Sequence, residues 1–211
     1  MKRKQQILHI HGGMAFNSRA EYFKVLQNEI EFHIEEQEKV QKWHYNYLEF
    51  LDSNNYQIIK PTMPSKDNAS YEAWEIWFSK VIPFLIDDII LVGHSLGGIF
   101  LAKYLSESIF PVRIQQLHLV AAVYDFEDEI EQLGDFKLTK FPGKLIEQNI
   151  PEIHIYHSRD NIFVPILESE KYHVQIPGSH FHVFEDKGHF LDETFPELFA
   201  NIKRGESKPN T

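Results

Sequence analysis

The sequence predicts an α/β protein of three layers, with a mostly parallel sheet of about six strands flanked by helices on both faces. Three observations carry this reading. Residues 7–10 (ILHI) and 89–92 (IILV) are uninterrupted apolar runs, too short for buried helices and without the in–out alternation of a strand wetted on one face. Stretches of helical period lie between such runs. Glycines and prolines close several of the runs, as strand ends in such a sheet require.

The elements follow in order. Residues 7–10 form a strand that ends at His11, Gly12 and Gly13. "SRAE" at 18–21 is a capping box and opens a helix with Tyr22, Phe23, Leu26 and Ile30 on one face. Val40, Trp43, Tyr47, Leu48 and Leu51 repeat that spacing and predict a second amphipathic helix ending near "DSNN". "YQIIKPTMP" is a strand stopped by prolines. Trp74, Trp77, Phe78, Val81 and Leu85 mark another helix, with Pro83 near its end. A strand at 89–92 is followed by a helix over 99–105. "IQQLHLVAAV" is a strand, and an acidic, irregular stretch occupies 124–149. "EIHIYH" and "FHVFED" are two further strands, and "PELFANI" is a last helix. The expected organisation is one domain over 1–203, with 124–149 as a small cap or loop insertion, and a flexible polar tail at 204–211.

Composition narrows the function classes. A chain of 211 residues supports one hydrophobic core. Its net charge of -10 argues against nucleic acid and anionic membrane surfaces as partners, because both repel an acidic protein. The absence of cysteine excludes disulfides, thiolate catalysis and cysteine metal sites. The basic start "MKRKQQ" is followed by an apolar run too short for a signal peptide, and no stretch approaches the ~18–20 apolar residues of a membrane helix. The expectation is a soluble, cytoplasmic protein.

In a parallel α/β sheet, ligands bind at the carboxyl ends of the strands. After Val92 comes Gly93-His94-Ser95-Leu96-Gly97. A serine between strand and helix must sit on a sharp, strained turn, and the flanking glycines remove the collisions this turn would cause. Ser95 is the candidate nucleophile. The N–H of Leu96, at the start of the following helix, is a candidate oxyanion donor. Asp160 and His189 each stand just past a strand end, in the order acid then base, and complete a candidate triad. Asp125 is a rival for orienting His189. Asp186 and Asp192 are surface charges, and His157, His173, His180 and His182 are spare histidines. The glycine pair after the first strand offers a second oxyanion donor, Gly13 or else Met14, with His11 bracing the loop. Phe16 and Met63 are candidate pocket walls. His9-x-His11 and His180-x-His182 lack a third ligand at a familiar spacing, so no metal is expected. Nor is a cofactor, since neither G-x-G-x-x-G nor G-x-x-x-x-G-K is present.

"HGG", "GHSLGG", "SRDNIFVP" and "KGHF", in that order, resemble an α/β-hydrolase over most of the chain. The closer resemblance is to the small serine hydrolases related to retinoblastoma-binding protein nine and their bacterial relatives. Those also begin at the strand leading to the oxyanion loop, without the usual N-terminal strands, and carry a P-x-x-P before an acidic-aromatic helix, here "KPTMPSKDNASYEAWEIW". The resemblance implies Ser95 as nucleophile, Asp160 as acid and His189 as base, and hydrolysis of small carboxylic esters through an acyl-enzyme. Two stretches depart from the pattern, the long 31–55 link and 124–149. Other outcomes stay open: acyl transfer or thioester cleavage, or a protein-binding module on a hydrolase scaffold with vestigial activity.

Overall fold

A computed structural model describes residues 3–29, 42–130 and 132–204. Six strands form one all-parallel sheet: β1 (Gln5–Ile10), β2 (Tyr56–Ile59), β3 (Ile89–His94), β4 (Ile114–Val120), β5 (Glu152–Ser158) and β6 (His180–Phe184). Their order across the sheet is β2-β1-β3-β4-β5-β6. The helices are α1 (Arg19–Asn28), α2 (Tyr47–Phe50), α3 (Tyr71–Ser79), α4 (Leu96–Glu107), α5 (Ile166–Gln175) and α6 (Pro196–Arg204).

Neighbouring strand residues point to opposite faces, and both faces are covered. Leu8, Ile10 and Leu91 pack with Trp74 and Phe78 of α3, Phe100 of α4 and Tyr172 of α5. Ile7, Ile90 and Val92 pack on the other face with Tyr47 of α2 and with Leu198, Phe199 and Ile202 of α6. This explains the unbroken apolar runs. Each such side chain, removed from water, contributes about 1.5–3 kcal/mol. Under α6 the second face also carries imidazoles: His118 of β4 stacks on His154 of β5 at 4.9 Å and 6°, and His154 Nδ1 lies 3.0 Å from His182 Nε2 of β6.

Several elements differ from expectation. Helix α5 was not anticipated, because its apolar Leu167 and Val174 face solvent (60% and 73% exposed) while Glu168, Ser169 and Tyr172 are buried. In α1 the buried residue is Val25, and Phe23 and Leu26 are largely exposed. The expected second helix is a 3₁₀ turn at Trp43–Tyr45 followed by the single turn of α2. Ile30 and Val40, with residues 31–41 of the 31–55 link, lie outside the described residues, as does the tail after Arg204.

The 124–149 connection runs along α4. Gly143 abuts the carbonyl of Ser106, and the Gln148 amide donates to the carbonyls of Leu105 and Ser108. Phe136 and Leu145 anchor it in the core. At its start, Glu168 Oε2 accepts three consecutive backbone N–H groups, of Tyr124, Asp125 and Phe126, at 2.7–2.9 Å. Burial alone would raise the Glu168 carboxyl, but Lys171 and these amides hold it below its ordinary value. Among the described residues no helix is long and apolar enough to cross a membrane.

Candidate active site

Strand β3 and helix α4 meet at Ser95, whose φ of 52° and ψ of -121° lie in a region that L residues rarely enter. Close packing enforces this turn. A Cβ at Gly93 would stand 2.6 Å from the carbonyl oxygen of Gly97, and one at Gly97 would stand 2.2 Å from that of Ile10. Glycine is thus required on both sides, so that α4 can begin against the ends of β1 and β3. The Ser95 N–H donates to Val120 of β4 at 2.9 Å, which ties the elbow to the next strand.

Over the serine lies the loop after β1. A Cβ at Gly12 would be 3.1 Å from the Cβ of Ser95, so only backbone fits there. His11 braces this loop: the N–H of Met63 donates to its Nε2 at 2.9 Å, so its Nδ1–H donates to the carbonyl of Gly12 at 2.6 Å. The two candidate second donors now separate. The Met14 N–H is spent on the carbonyl of Lys66 at 2.8 Å, whereas no described residue takes the N–H of Gly13 or of Leu96. Of the candidate oxyanion donors, Gly13 and Leu96 are thus the two whose N–H groups have no partner among the described residues.

His189 sits on a short loop after β6, between Gly188 (φ 49°) and Phe190 (φ 55°). The loop is fixed from four sides. Gly188 N–H donates to Asp160 Oδ1 and Lys187 N–H to Ser158 Oγ, both at 2.8 Å. His94 Nε2–H donates to the carbonyl of His189, and Trp43 Nε1–H to that of Phe190, again at 2.8 Å.

The expected carboxylate does not reach the imidazole. Asp160 accepts from Ser158 Oγ at 2.5 Å and from the Gly188 N–H, and these bonds hold its carboxyl below the ordinary value. His189 Nδ1 faces Asn161 instead, 3.1 Å from Nδ2 and 3.2 Å from Oδ1. Asn161 is buried and forms an Asx turn, its Oδ1 accepting the N–H groups of Phe163 and Val164. Sequence reasoning passed over it because the triad rule asks for a carboxylate. The Asx-turn spacing before "VP" was the available signal. Asp125 pairs with Lys171, away from His189.

Ser95 and His189 line one cleft of ≈ 620 Å³. No hydrogen bond joins their side chains. The walls come from the segments at 9–14, 42–45, 60–66, 163 and 189–191, and none of the described residues of 124–149 takes part. Met63 is a core residue and Phe16 packs on Tyr22, so neither forms the wall expected of it. Met14 does line the cleft. Burial, with His94, His157 and Lys42 nearby, pushes His189 down to about 2. Burial likewise lowers His94 to about 4. Both imidazoles are therefore neutral at neutral pH.

No protein-family model and no curated protein matches the chain. Solved structures do. The chain is similar to the ydeN gene product of B. subtilis at TM-score 0.76 and 20% identity, covering 97% of this chain and 100% of that one. An esterase of Exiguobacterium antarcticum aligns at TM-score 0.56 and 18% identity, over 98% of this chain and 94% of its own. An α/β-hydrolase enzyme from a Medee basin deep-sea metagenome library aligns at TM-score 0.53 and 16% identity, over 95% and 81%. The likeness to relatives of retinoblastoma-binding protein nine rests on the sequence motifs alone. With its six-stranded parallel sheet and flanking helices, the chain has the α/β-hydrolase fold.

Proposed function

We propose that the chain is a serine hydrolase that cleaves small carboxylic esters through an acyl-enzyme on Ser95. The observation that carries this reading is the strained elbow at Ser95, roofed by Gly12 and opening into the same cleft as His189. The reactive tautomer of His189 carries its proton on Nδ1, toward Asn161 Oδ1, so that attack by Ser95 Oγ on the ester carbonyl passes the serine proton to the free Nε2. The N–H groups of Gly13 and Leu96 receive the oxyanion. Collapse breaks the C–O bond, and the departing alcohol takes the proton from His189. Water repeats the cycle and frees the acid. Asp160 serves this scheme indirectly, by fixing the loop through Gly188. Thioester cleavage or transfer to another acceptor would use the same groups. The similar solved structures, an esterase among them, support this class.

The test is covalent labelling by a fluorophosphonate and turnover of short p-nitrophenyl esters. Ser95→Ala should lose label and lower turnover by several orders of magnitude. Undiminished turnover in that variant would end the assignment.

A second reading, a protein-binding module on a hydrolase scaffold with vestigial activity, is favoured by one observation: an amide, not a carboxylate, faces the base. Stable capture of a protein partner by Ser95→Ala and wild type alike, with ester turnover no faster than background, would select it.

A further inference from the structure

The cleft is cationic in an acidic protein. Lys42, Lys60 and Lys66 line it, and no Asp or Glu does among the described residues. The chain carries 31 Asp and Glu against 21 Lys and Arg, so three lysines gathered in one concavity are not the composition's default. Lys66 does pair, with the neighbouring Asp67. Lys42 and Lys60 have no carboxylate partner among the described residues.

Lys60 is held for use. Its ammonium donates to the carbonyl of His44 at 2.7 Å and lies 5.3 Å from the centre of the Tyr45 ring, which leaves further N–H donors uncommitted. Partial burial pulls it below the ordinary lysine value. The charge of Lys42 is felt at His44, His94 and His189.

The buried floor lacks an acceptor as well. His9 is 2% exposed, lines the cleft, and has no partner for Nε2. Its Nδ1 lies 2.9 Å from the hydroxyl of Tyr47. That hydroxyl has no other acceptor among the described residues, so the arrangement that satisfies it has Tyr47 donating to Nδ1. The His9 proton then sits on Nε2, a buried donor with nothing to receive it. Nδ1 of His44, 5.5 Å away ring to ring, is also unpartnered. These imidazoles do not gather as metal ligands among the described residues. Ammonium groups with no carboxylate partner among the described residues, beside an N–H without an acceptor there, are the complement of an anionic oxygen.

We propose that the substrate is an anionic ester, bearing a carboxylate or phosphate that Lys42, Lys60 and His9 Nε2–H hold while Ser95 attacks the ester carbonyl. This rests on the hydrolase reading above and names its substrate class. The decisive comparison is kcat/KM for mono-4-nitrophenyl glutarate against its methyl diester, which differ only at the distal group, a carboxylate in one and a neutral methyl ester in the other. A second pair, 4-acetoxybenzoate and methyl 4-acetoxybenzoate, places the charge on the alcohol side. In at least one pair the anion should be preferred by about ten-fold or more, and Lys42→Gln with Lys60→Gln should cut that ratio several-fold, as should added salt. Ratios at or below one, or ratios unmoved in the double variant, overturn the proposal and leave the hydrolase reading intact.

Should no ester turn over, the hydrolase reading falls and the anion site is still decided by calorimetry on Ser95→Ala. Binding of monomethyl glutarate but not dimethyl glutarate, weakened in the lysine variants, supports it. Equal binding, or none, refutes it. Competition by inorganic phosphate stronger than by acetate assigns a phosphoryl group, and the reverse assigns a carboxylate.

Discussion

Asn161 takes the place beside His189 Nδ1, at 3.1 Å and 3.2 Å through its two amide atoms, while Asp160 next to it turns to the Gly188 N–H. The amide oxygen already accepts two backbone N–H groups. Its nitrogen is therefore free to donate to Nδ1, which would favour the tautomer with the proton on Nε2, the wrong one for a base. In a Ser-His-Asp protease, an amide at the acid position costs roughly 10⁴-fold in kcat for this reason. Asn161→Asp is isosteric and keeps an oxygen for the Phe163 and Val164 amides. Its kcat should rise by about ten-fold or more. A steady-state assay that finds Asn161→Asp no faster than wild type would show that the amide is not what limits the base.

The same pair sets the pH profile. With His189 lowered to about 2 by burial, kcat/KM should stay level on acidification well below the 6.5 of an ordinary histidine, for as long as the fold persists. A carboxylate at 161 stabilises the imidazolium, so Asn161→Asp should move the acidic limb up toward neutrality. Profiles of the two proteins between pH 4 and 8 check this, and coincident limbs would refute it.

Asp160 acts on the loop rather than on the ring. Asp160→Ala should lower turnover less than Ser95→Ala or His189→Ala does, and should loosen the 186–190 loop. Hydrogen exchange at the Gly188 amide, which loses its acceptor, reads this directly. Loss of turnover equal to that of His189→Ala, with the Gly188 amide still protected, would restore Asp160 as the acid.

Two glycines should respond differently. Gly97→Ala places a methyl 2.2 Å from the Ile10 carbonyl oxygen, and the backbone cannot yield without shifting α4. A loss of at least about 3 kcal/mol is expected. Gly188→Ala meets open space and bears only the strain of φ 49°, about 1 kcal/mol. Urea denaturation of both variants distinguishes them.

Acid should unfold the protein through its buried imidazoles. His9, His94 and His118 are fully enclosed, and burial lowers all three. Above pH 6.5 each is neutral whether folded or unfolded, and stability is unaffected. Below 6.5 the unfolded chain takes up protons that the folded chain refuses. Each group then costs about 1.4 kcal/mol per pH unit, down to its folded value. Urea midpoints should be level from pH 8 to 7 and fall steeply between 6 and 4. A flat curve over that range would contradict the enclosure of these rings.

Where the sequence spoke clearly, the physics was local. The runs at 7–10 and 89–92 had to be buried on both sides, and Gly93, Ser95 and Gly97 could hardly be placed other than on a tight turn. Helix α5 was silent because its buried face is made of Glu168, Ser169 and Tyr172, whose hydrogen bonds, not their apolarity, hold them inside. The 124–149 stretch read either as a small cap or as a loop pinned by its phenylalanines, because composition does not say which way those rings face; Phe136 turns inward to Tyr71 and Trp74. Asn161 was hidden by a rule about charge, since only the loop geometry after β5 decides which of two adjacent polar residues meets the ring.

The roof over Ser95 is bare main chain at Gly12, while the outer walls of the cleft arrive from separate segments at 42–45, 60–66 and 163. In the proposed hydrolase, reactivity and preference are thereby housed in different stretches of polypeptide. Divergence or directed evolution can retune what enters at those outer positions while leaving the nucleophile's surroundings untouched.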